Sequence, residues 1–296
     1  MLPPVCLRPI WSSLTVPIRS AGMTPKVSEG LESTCVPAGF RLVNAESGTI
    51  AYSGPSCVRG KLECAGVHLL AMRHGQTVAN LAREQGKPAI LSGQSEVALT
   101  DTGRHQAEDA AEQLFSQLGG EAWLQRAARD PSLLPVVYTS PLTRAALTAE
   151  ALVSLLRERS GGAVELPILP DDRLKEIHFG CYEMKTRDDL RSDYPDFAHR
   201  MDSFQGPGYD FVHRFPGGES RLDVVDRVQS FLGDVADRHP GRTVLVVCHM
   251  ETMVGMRTAL GFSKQREGSV RADAQEMKNA TPLTLLPRRG ELTPCT

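Results

Sequence analysis

The sequence predicts an α/β protein, a three-layer α/β/α sandwich in which helices cover both faces of a mostly parallel sheet and a small helical and loop cap covers the pocket. Two observations lead to this class. Short apolar runs typical of buried strands alternate with longer segments typical of helices. Three of the apolar runs also end in basic or imidazole side chains, at the edge where open α/β sheets bind their ligands.

The first strand is predicted over residues 67–72, which are apolar except for one histidine, and it runs directly into Arg73, His74 and Gly75. A fixed cation beside an imidazole suits a site for phosphate or carboxylate, in which the imidazole attacks or carries a proton. Gly75 allows the backbone to turn sharply there. Residues 81–98 have no clear period and are predicted to form a long loop that lines the site.

The rest of the chain continues the alternation. Pro141 suits the first position of a helix, so Arg144 lies in the first turn and close to the end of a strand over 134–138. A cation there opposes the helix dipole and needs another reason to be present. A strand over 244–248 ends at His249. A further helix is predicted from Thr100 or Asp101 to Leu118, where Gly119 and Gly120 stop it. The helix after Pro141 is predicted to end near Arg157. The remaining predicted elements are a strand at 168–170, a polar cap over 181–215, helices over 220–237 and 250–260, and an edge strand over 281–286.

Composition narrows the functional classes. The net charge of -2 argues against non-specific binding to nucleic acid or to an anionic membrane. The 7 cysteines lack C-x-x-C spacing, which indicates a reducing compartment and predicts a cytoplasmic protein. Cys248, at the end of an apolar strand, is expected to be a buried thiol. No apolar run approaches the length of a membrane span.

Residues 1–65 differ from the rest of the chain. They are rich in Pro, Ser and Gly, show no sustained period and are predicted to form a low-order N-terminal extension. Three basic residues precede the first acidic one, Glu29. This bias is typical of organellar transit peptides, although several prolines would break an amphipathic helix, so organellar targeting is kept as an alternative. The catalytic domain is predicted over 66–290, followed by a tail over 291–296.

Over residues 66–290 these motifs resemble the histidine phosphatase (phosphoglycerate mutase-like) superfamily. The motifs that carry the resemblance occur in the order of the family: Arg73-His74-Gly75-Gln76-Thr77, Leu99 to Ala107, Thr139 to Arg144, Arg173 to Gly180, Pro216 to Ser220 and the strand that ends at His249. The resemblance implies a phosphohydrolase that acts on small phosphate monoesters through a phosphohistidine, without metal or cofactor.

The resemblance also implies a role for each residue of the site. His74 matches the histidine that becomes phosphorylated, and Glu176 matches the proton donor. The groups that match contacts to the phosphoryl oxygens are Arg73, Asn80, Arg144 and His249. The alternative for Glu176 is a surface ion pair with Lys175 or Arg173.

Two other features of the charged groups bear on the site. Glu219 suits a charge at a helix N-terminus better than a site residue, although it and Glu251 are the next candidates for the acid. Two imidazoles and a carboxylate also suggest zinc. The two arginines would repel the ion, and no H-x-x-x-H or H-E-x-x-H pair occurs. No metal is therefore expected.

Several residues bear on the branch of the family and on its substrate. Gln76, a Ser92–Ser95 loop without Trp and the lack of an Arg-Arg pair in the cap favour a phosphatase, with a phosphoglycerate mutase as runner-up. A catalytically silent interaction module is the third hypothesis. Met184 and Met250 replace family glycines and are expected to crowd the pocket. The expected partner is a small phosphorylated metabolite, and basic side chains of the cap favour a second charged group on it: Arg187, Arg191, Arg200, His213 and Arg214. The oligomeric state is not predicted.

Overall fold

The computed structural model describes residues 40–44, 49–52, 57–195, 214–262 and 277–287. The strands within these ranges are, in chain order, β1 (Phe40–Asn44), β2 (Thr49–Tyr52), β3 (His68–Arg73), β4 (Val136–Thr139), β5 (Ile168–Pro170), β6 (Thr243–Cys248) and β7 (Leu283–Leu286). The main sheet has the order β5-β4-β6-β3-β7, and β1 pairs with β2 in a separate hairpin. The first four strands of the main sheet run parallel, and β7 is antiparallel to β3 at the edge. The predicted mostly parallel sheet and its edge strand are confirmed.

The helices occupy the intervals between the strands: α1 (Cys57–Cys64), α2 (Val78–Glu84), α3 (Asp101–Leu118), α4 (Gly120–Ala127), α5 (Thr143–Arg159), α6 (Arg187–Asp193), α7 (Arg221–Arg238) and α8 (Met250–Ala259). The side chain of Thr100 caps α3, and Gly119 ends it with a φ of 113°. The predicted helix start at Pro141 is wrong: α5 begins at Thr143, because the backbone of Leu142 is still extended, with a ψ of 131°.

Successive side chains of the strands point to opposite faces of the sheet, and both faces are covered. In β3, Leu69 and Ala71 pack in the apolar cluster that contains α7 and α8, whereas Leu70 and Met72 pack in the cluster that contains α3 and α5. Strands buried on both faces lose the alternation of apolar and polar residues, which is why the strand runs are almost wholly apolar. The three layers follow from this burial.

Two local predictions need correction. Helix α2 overlaps the start of the predicted loop 81–98, because Thr77 and Asn80 form a reciprocal capping box that starts a helix there. Gly119 and Gly120 do end α3, but α4 begins at once at Gly120. A short helix without a long periodic pattern is hard to detect in sequence, and both helices were missed for this reason.

The segment assigned to an N-terminal extension contains part of the packed domain. Helix α1 lies against α7, and its Val58 and Leu62 are 5% and 0% exposed in the core. The packed region therefore begins before residue 66, within the range 1–65. Residues 1–39, the tail 291–296 and most of the predicted cap, including Arg200 and His213, lie outside the described residues.

Candidate active site

The carboxyl ends of β3, β4 and β6 bring the basic side chains together. Arg73 is paired in register with Cys248, and the next residue, His74, donates its N–H to the Cys248 carbonyl at 3.0 Å. Ser140 is attached to the other side of β6 through its N–H. The imidazole rings of His74 and His249 consequently lie 5.1 Å apart between centroids. Cys248 is a buried thiol, as expected.

His74 is held as a neutral imidazole. Its Nδ1 lies 2.7 Å from the carbonyl oxygen of Gly75, which can only accept, so Nδ1 carries the hydrogen. Nε2 then holds a lone pair, and no hydrogen bond within the described residues engages it. Burial, and then the charges of Arg73 and Arg144, hold the pKa of His74 well below its usual value. The ring is thus available as a nucleophile.

His249 is fully buried, and its Nε2 lies 2.8 Å from the hydroxyl of Ser140. Its Nδ1 is enclosed without a hydrogen-bond partner among the described residues. Burial, followed by the charge of Arg144, lowers the pKa of His249 well below the ordinary value. The site therefore contains two neutral imidazoles side by side.

Two guanidinium groups flank the imidazoles. Arg144 is 2% exposed, which excludes a solvated position, and it donates to the carbonyls of Ser95 and Gly93. Arg73 is partly buried, and its Nε has no hydrogen-bond partner within the described part of the chain. Burial lowers the pKa of both groups, while the carboxylate of Glu176 opposes this shift. We call Arg73, His74, Arg144 and His249 the cradle.

Glu176 lies beside the cradle rather than in a surface ion pair. Its carboxylate accepts hydrogen bonds from the N–H groups of Ile177 and Glu251, at 3.0 and 3.1 Å. Burial, and next the charge of Glu251, raise the pKa of Glu176 from 4.5 to about 7. Lys175 and Arg173 pair instead with Asp172 and Asp171. The carboxyl can therefore change its protonation state near neutral pH.

Asn80 is connected to the cradle through a residue that the sequence analysis missed. Its Oδ1 accepts from the N–H of Thr77 and, at 3.2 Å, from the side chain of Asn279. The same Nδ2 of Asn279 donates to the His74 carbonyl at 2.9 Å, and Ala280 donates to the carbonyl of Arg73. No local sequence signal could link Asn279 to the site, because it lies 205 residues from His74 in the chain.

The loop before Glu96 is fixed from two sides. Arg144 binds its carbonyls, and the carboxylate of Glu183 accepts from the N–H groups of Gln94 and Ser95, from the Ser95 hydroxyl and from the N–H of Phe179. A Cβ on Gly93 would displace the Glu183 carboxylate, and the φ of 38° at this position also favours glycine. We call Glu183 and its partners the Glu183 clamp. It sets the position of the carbonyls that orient Arg144.

The segment Leu99 to Ala107, which opens α3, also holds the loop that carries His74. Gly75 and Gly103 approach so closely that a Cβ on either would collide with the backbone of the other segment. The N–H of Gln76 donates to the side chain of Gln106 at 2.9 Å. The Gln76 amide also donates to Glu84 at 2.7 Å, a contact that a glutamate at position 76 would replace with repulsion.

Glu219 has a structural contact set. It accepts from the N–H of His178 at 2.9 Å and forms an ion pair with Arg227 at 3.0 Å. These bonds attach the segment that follows Glu176 to the turn before α7. Gly180 and Gly218 cross there with no room for a Cβ. The preference for a non-catalytic Glu219 therefore has a geometric basis.

Neither methionine has the surroundings expected of a side chain that crowds the pocket. Met184 is 50% exposed and has a left-handed φ of 63°, which explains why glycine suits this position. Met250 is partly buried and packs against the apolar core of the α7 and α8 face. Its side chain therefore turns into the core.

The described basic residues of the cap have partners. Arg191 pairs with Asp188, and Arg214 pairs with Asp223. Within the described ranges, no three His, Cys, Asp or Glu side chains are grouped so as to hold a metal ion. Over the same residues, no helix is long and apolar enough to cross a membrane.

Comparisons with known proteins show which family the chain resembles. The model of the histidine phosphatase superfamily (branch 1) matches residues 69–274. The chain is 29% identical over 197 residues to phosphoserine phosphatase 1 of Hydrogenobacter thermophilus, covering 66% of this chain and 76% of the relative. It is 29% identical over 182 residues to phosphoglycerate mutase-like protein 4 of Arabidopsis thaliana, covering 61% and 65%.

A solved structure gives the same result. The structure of mycobacterial glucosyl-3-phosphoglycerate phosphatase with VO3 matches with a TM-score of 0.52 and 26% identity, over 73% of this chain and 90% of that chain. The chain belongs to the histidine phosphatase superfamily, which confirms the resemblance drawn from its motifs.

Proposed function

We propose that this chain hydrolyses small phosphate monoesters through a phosphohistidine on His74. The observation that carries the proposal is the unsatisfied state of the cradle. Nε2 of His74 has no hydrogen bond within the described residues, and Nδ1 of the neighbouring His249 and Nε of Arg73 are buried without partners there. Buried polar groups are normally satisfied, so this cluster is suited to a ligand that supplies acceptors and an electrophile.

In the first step, Nε2 of His74 attacks phosphorus and the bond from phosphorus to the ester oxygen breaks. Arg73, Arg144 and His249 stabilise the charge that spreads over the three remaining phosphoryl oxygens. Glu176 in its protonated form gives its proton to the leaving oxygen, so the alcohol departs neutral and Glu176 becomes a carboxylate.

In the second step, that carboxylate takes a proton from water while the water oxygen attacks the phosphohistidine. The bond between phosphorus and Nε2 breaks, inorganic phosphate is released, and His74 and the protonated Glu176 are restored. A pKa of about 7 supports both roles, because the carboxyl is then neither permanently charged nor permanently protonated at neutral pH.

Two observations favour hydrolysis over mutase chemistry. The relatives include phosphatases, and Glu84 accepts a hydrogen bond from Gln76, at the position where the mutase motif has a glutamate. The expected substrate is a small phosphorylated metabolite. The mutase-like relative keeps phosphoglycerate mutase as the second candidate. The expected compartment is the cytoplasm, with organellar targeting as the alternative.

The experiment is to trap the intermediate. Incubation with phosphate-labelled monoester, an alkaline quench and peptide mapping should place an acid-labile label on His74. The His74→Ala variant should lose the label and nearly all turnover, at least about 10⁴-fold. His105→Ala, which removes an exposed histidine of α3, is the matched control. Label on another residue, or none in the burst phase, contradicts the covalent route.

Two additions to this assay test the other parts of the proposal. Full turnover should persist with EDTA, because guanidinium groups supply the charge that Mg²⁺ supplies elsewhere. Assays with 3-phosphoglycerate, with and without 2,3-bisphosphoglycerate, separate the candidates. Release of inorganic phosphate supports the phosphatase, and formation of 2-phosphoglycerate supports the mutase.

A further inference from the structure

The hydroxyl of Ser140 makes one short contact, and that contact is with a histidine of the cradle. Its hydroxyl lies 2.8 Å from Nε2 of His249, and the residue is fully buried at the end of β4. The hydroxyl oxygen also accepts the N–H of Leu142 at 3.3 Å. No other hydrogen bond of this hydroxyl occurs within the described residues, so its proton has a single available acceptor.

The geometry points to Ser140 as a positioning residue that fixes the tautomer of His249: the hydroxyl donates to Nε2, and Nδ1–H is thereby kept as a donor for the transferring phosphoryl group. This inference rests on the function proposed above. It assigns opposite tasks to the two imidazoles. The Gly75 carbonyl leaves a lone pair on His74, whereas the Ser140 hydroxyl leaves an N–H on His249.

The opposite tautomer fails on two counts. If Nε2 of His249 carried the hydrogen, the hydroxyl proton of Ser140 would be buried without an acceptor, which typically costs about 1–3 kcal/mol. Nδ1, which is enclosed and unpartnered, would then direct a lone pair at an anionic phosphoryl oxygen. The low pKa of His249 agrees with a neutral ring, in which the choice between tautomers matters.

The neighbouring residue supplies a matched control. Thr139 is 2% exposed, and its single hydroxyl proton is directed to backbone carbonyls, that of Ser140 at 3.1 Å and that of Val247 at 3.4 Å. Thr139→Val thus removes a buried hydroxyl one residue away from Ser140 without touching His249. Ser140→Ala removes the hydroxyl oxygen that is hydrogen-bonded to the imidazole and adds no atoms, so a folding defect is not expected.

The first test needs no substrate. Two-bond ¹H–¹⁵N correlation spectra of the full chain distinguish protonated from unprotonated ring nitrogens. Wild type and Thr139→Val should show His249 with hydrogen on Nδ1, and Ser140→Ala should show a mixture or the other tautomer. A wild-type His249 with hydrogen on Nε2 overturns the inference. Because this readout is independent of turnover, it stands or falls separately from the proposed function.

The second test uses inorganic phosphate as the ligand. Ser140→Ala should weaken its binding roughly 10-fold or more, the value of a hydrogen bond to a charged group, and should lower kcat by about 10- to 100-fold. Thr139→Val should leave both nearly unchanged. Equal effects of the two variants, or an unchanged affinity in Ser140→Ala, would show that the hydroxyl only contributes to packing.

Discussion

The cradle and the Glu183 clamp meet at Ser95, yet they treat their polar atoms in opposite ways. In the cradle, Arg73 Nε and His249 Nδ1 are enclosed without partners among the described residues. In the clamp, each carboxylate oxygen of Glu183 accepts two hydrogen bonds. The comparison teaches that the cradle offers unpartnered groups to the phosphate of the function proposed above, whereas the hydrogen bonds of the Glu183 carboxylate are all used within the protein to hold a loop.

The difference should appear in measurements. Substitutions of Arg73 and Glu176 should reduce turnover and leave stability unchanged or higher, because burial disfavours the charged form of both groups. Substitutions in the clamp should reduce stability first. The experiments below either break this separation or sharpen it.

After His74→Ala, the largest effect is expected from Glu176→Gln. If Glu176 is the general acid, as proposed above, its removal should slow alkyl phosphates by about 10²–10⁴-fold and aryl phosphates far less, because an aryl oxide leaves without protonation. The check is kcat/KM for a series of leaving groups. Equal, modest losses for both classes would mean that another group, such as Glu251 or Glu219, supplies the proton.

Arg73→Met should reduce kcat/KM by about 10²–10³-fold for alkyl and aryl substrates alike, since the charge it stabilises does not depend on the leaving group. Its melting temperature should not fall, because burial lowers the pKa of Arg73 and the cation is poorly compensated. Arg104→Met is the control, as Arg104 lies exposed on α3 in an ion pair with Asp101. A large loss of stability would show that Arg73 contributes to the stability of the fold and contradict this prediction.

Glu176→Gln should also stabilise the chain above neutral pH. The folded state raises the pKa of this carboxyl from 4.5 to about 7, so ionising it costs the folded state free energy that the unfolded chain avoids. The penalty is absent below about pH 4.5, grows as pH rises and is complete above about pH 7, where it amounts to about 2–3 kcal/mol. Denaturant unfolding at pH 4.5 and at pH 8 should show a gain only at pH 8.

Glu183→Gln should lower the free energy of unfolding by about 1.5–3 kcal/mol, because a neutral amide replaces a carboxylate that accepts four hydrogen bonds. Glu150→Gln, at an exposed position of α5, is the matched control and should have almost no effect. Unfolding in urea measures both. A variant that retains full stability but loses turnover would contradict the division between cradle and clamp.

The smallest effect concerns Met184, which borders Glu183. Glycine tolerates a φ of 63°, whereas an L side chain there costs about 1–2 kcal/mol. After allowance for the greater backbone entropy of unfolded glycine, Met184→Gly should raise the free energy of unfolding by up to about 1 kcal/mol. Turnover should stay within about twofold, because the exposed side chain lies outside the cradle. A drop in stability would show that the side chain packs on something.

The sequence by itself determined the α/β class, the order of the main elements and the side chains of the cradle. These follow from local signals. An apolar run buried on both faces predicts a strand, and the polar residue that ends it must lie at the carboxyl edge of the sheet. Arg73, His74, Arg144 and His249 each stand at or just after such a run, so their meeting was predictable.

Only the tertiary structure decided which groups hold these side chains and in what chemical state. Asn279 reaches His74 from 205 residues away, and Ser140 reaches His249 from 109. Helix α1 is too short for a helical period to be recognised in the sequence, and only the burial of Leu62 shows that the helix belongs to the core. Periodicity and capping signals act within a few residues, whereas hydrogen bonds, burial and the pKa values they set depend on partners that only the folded chain brings together.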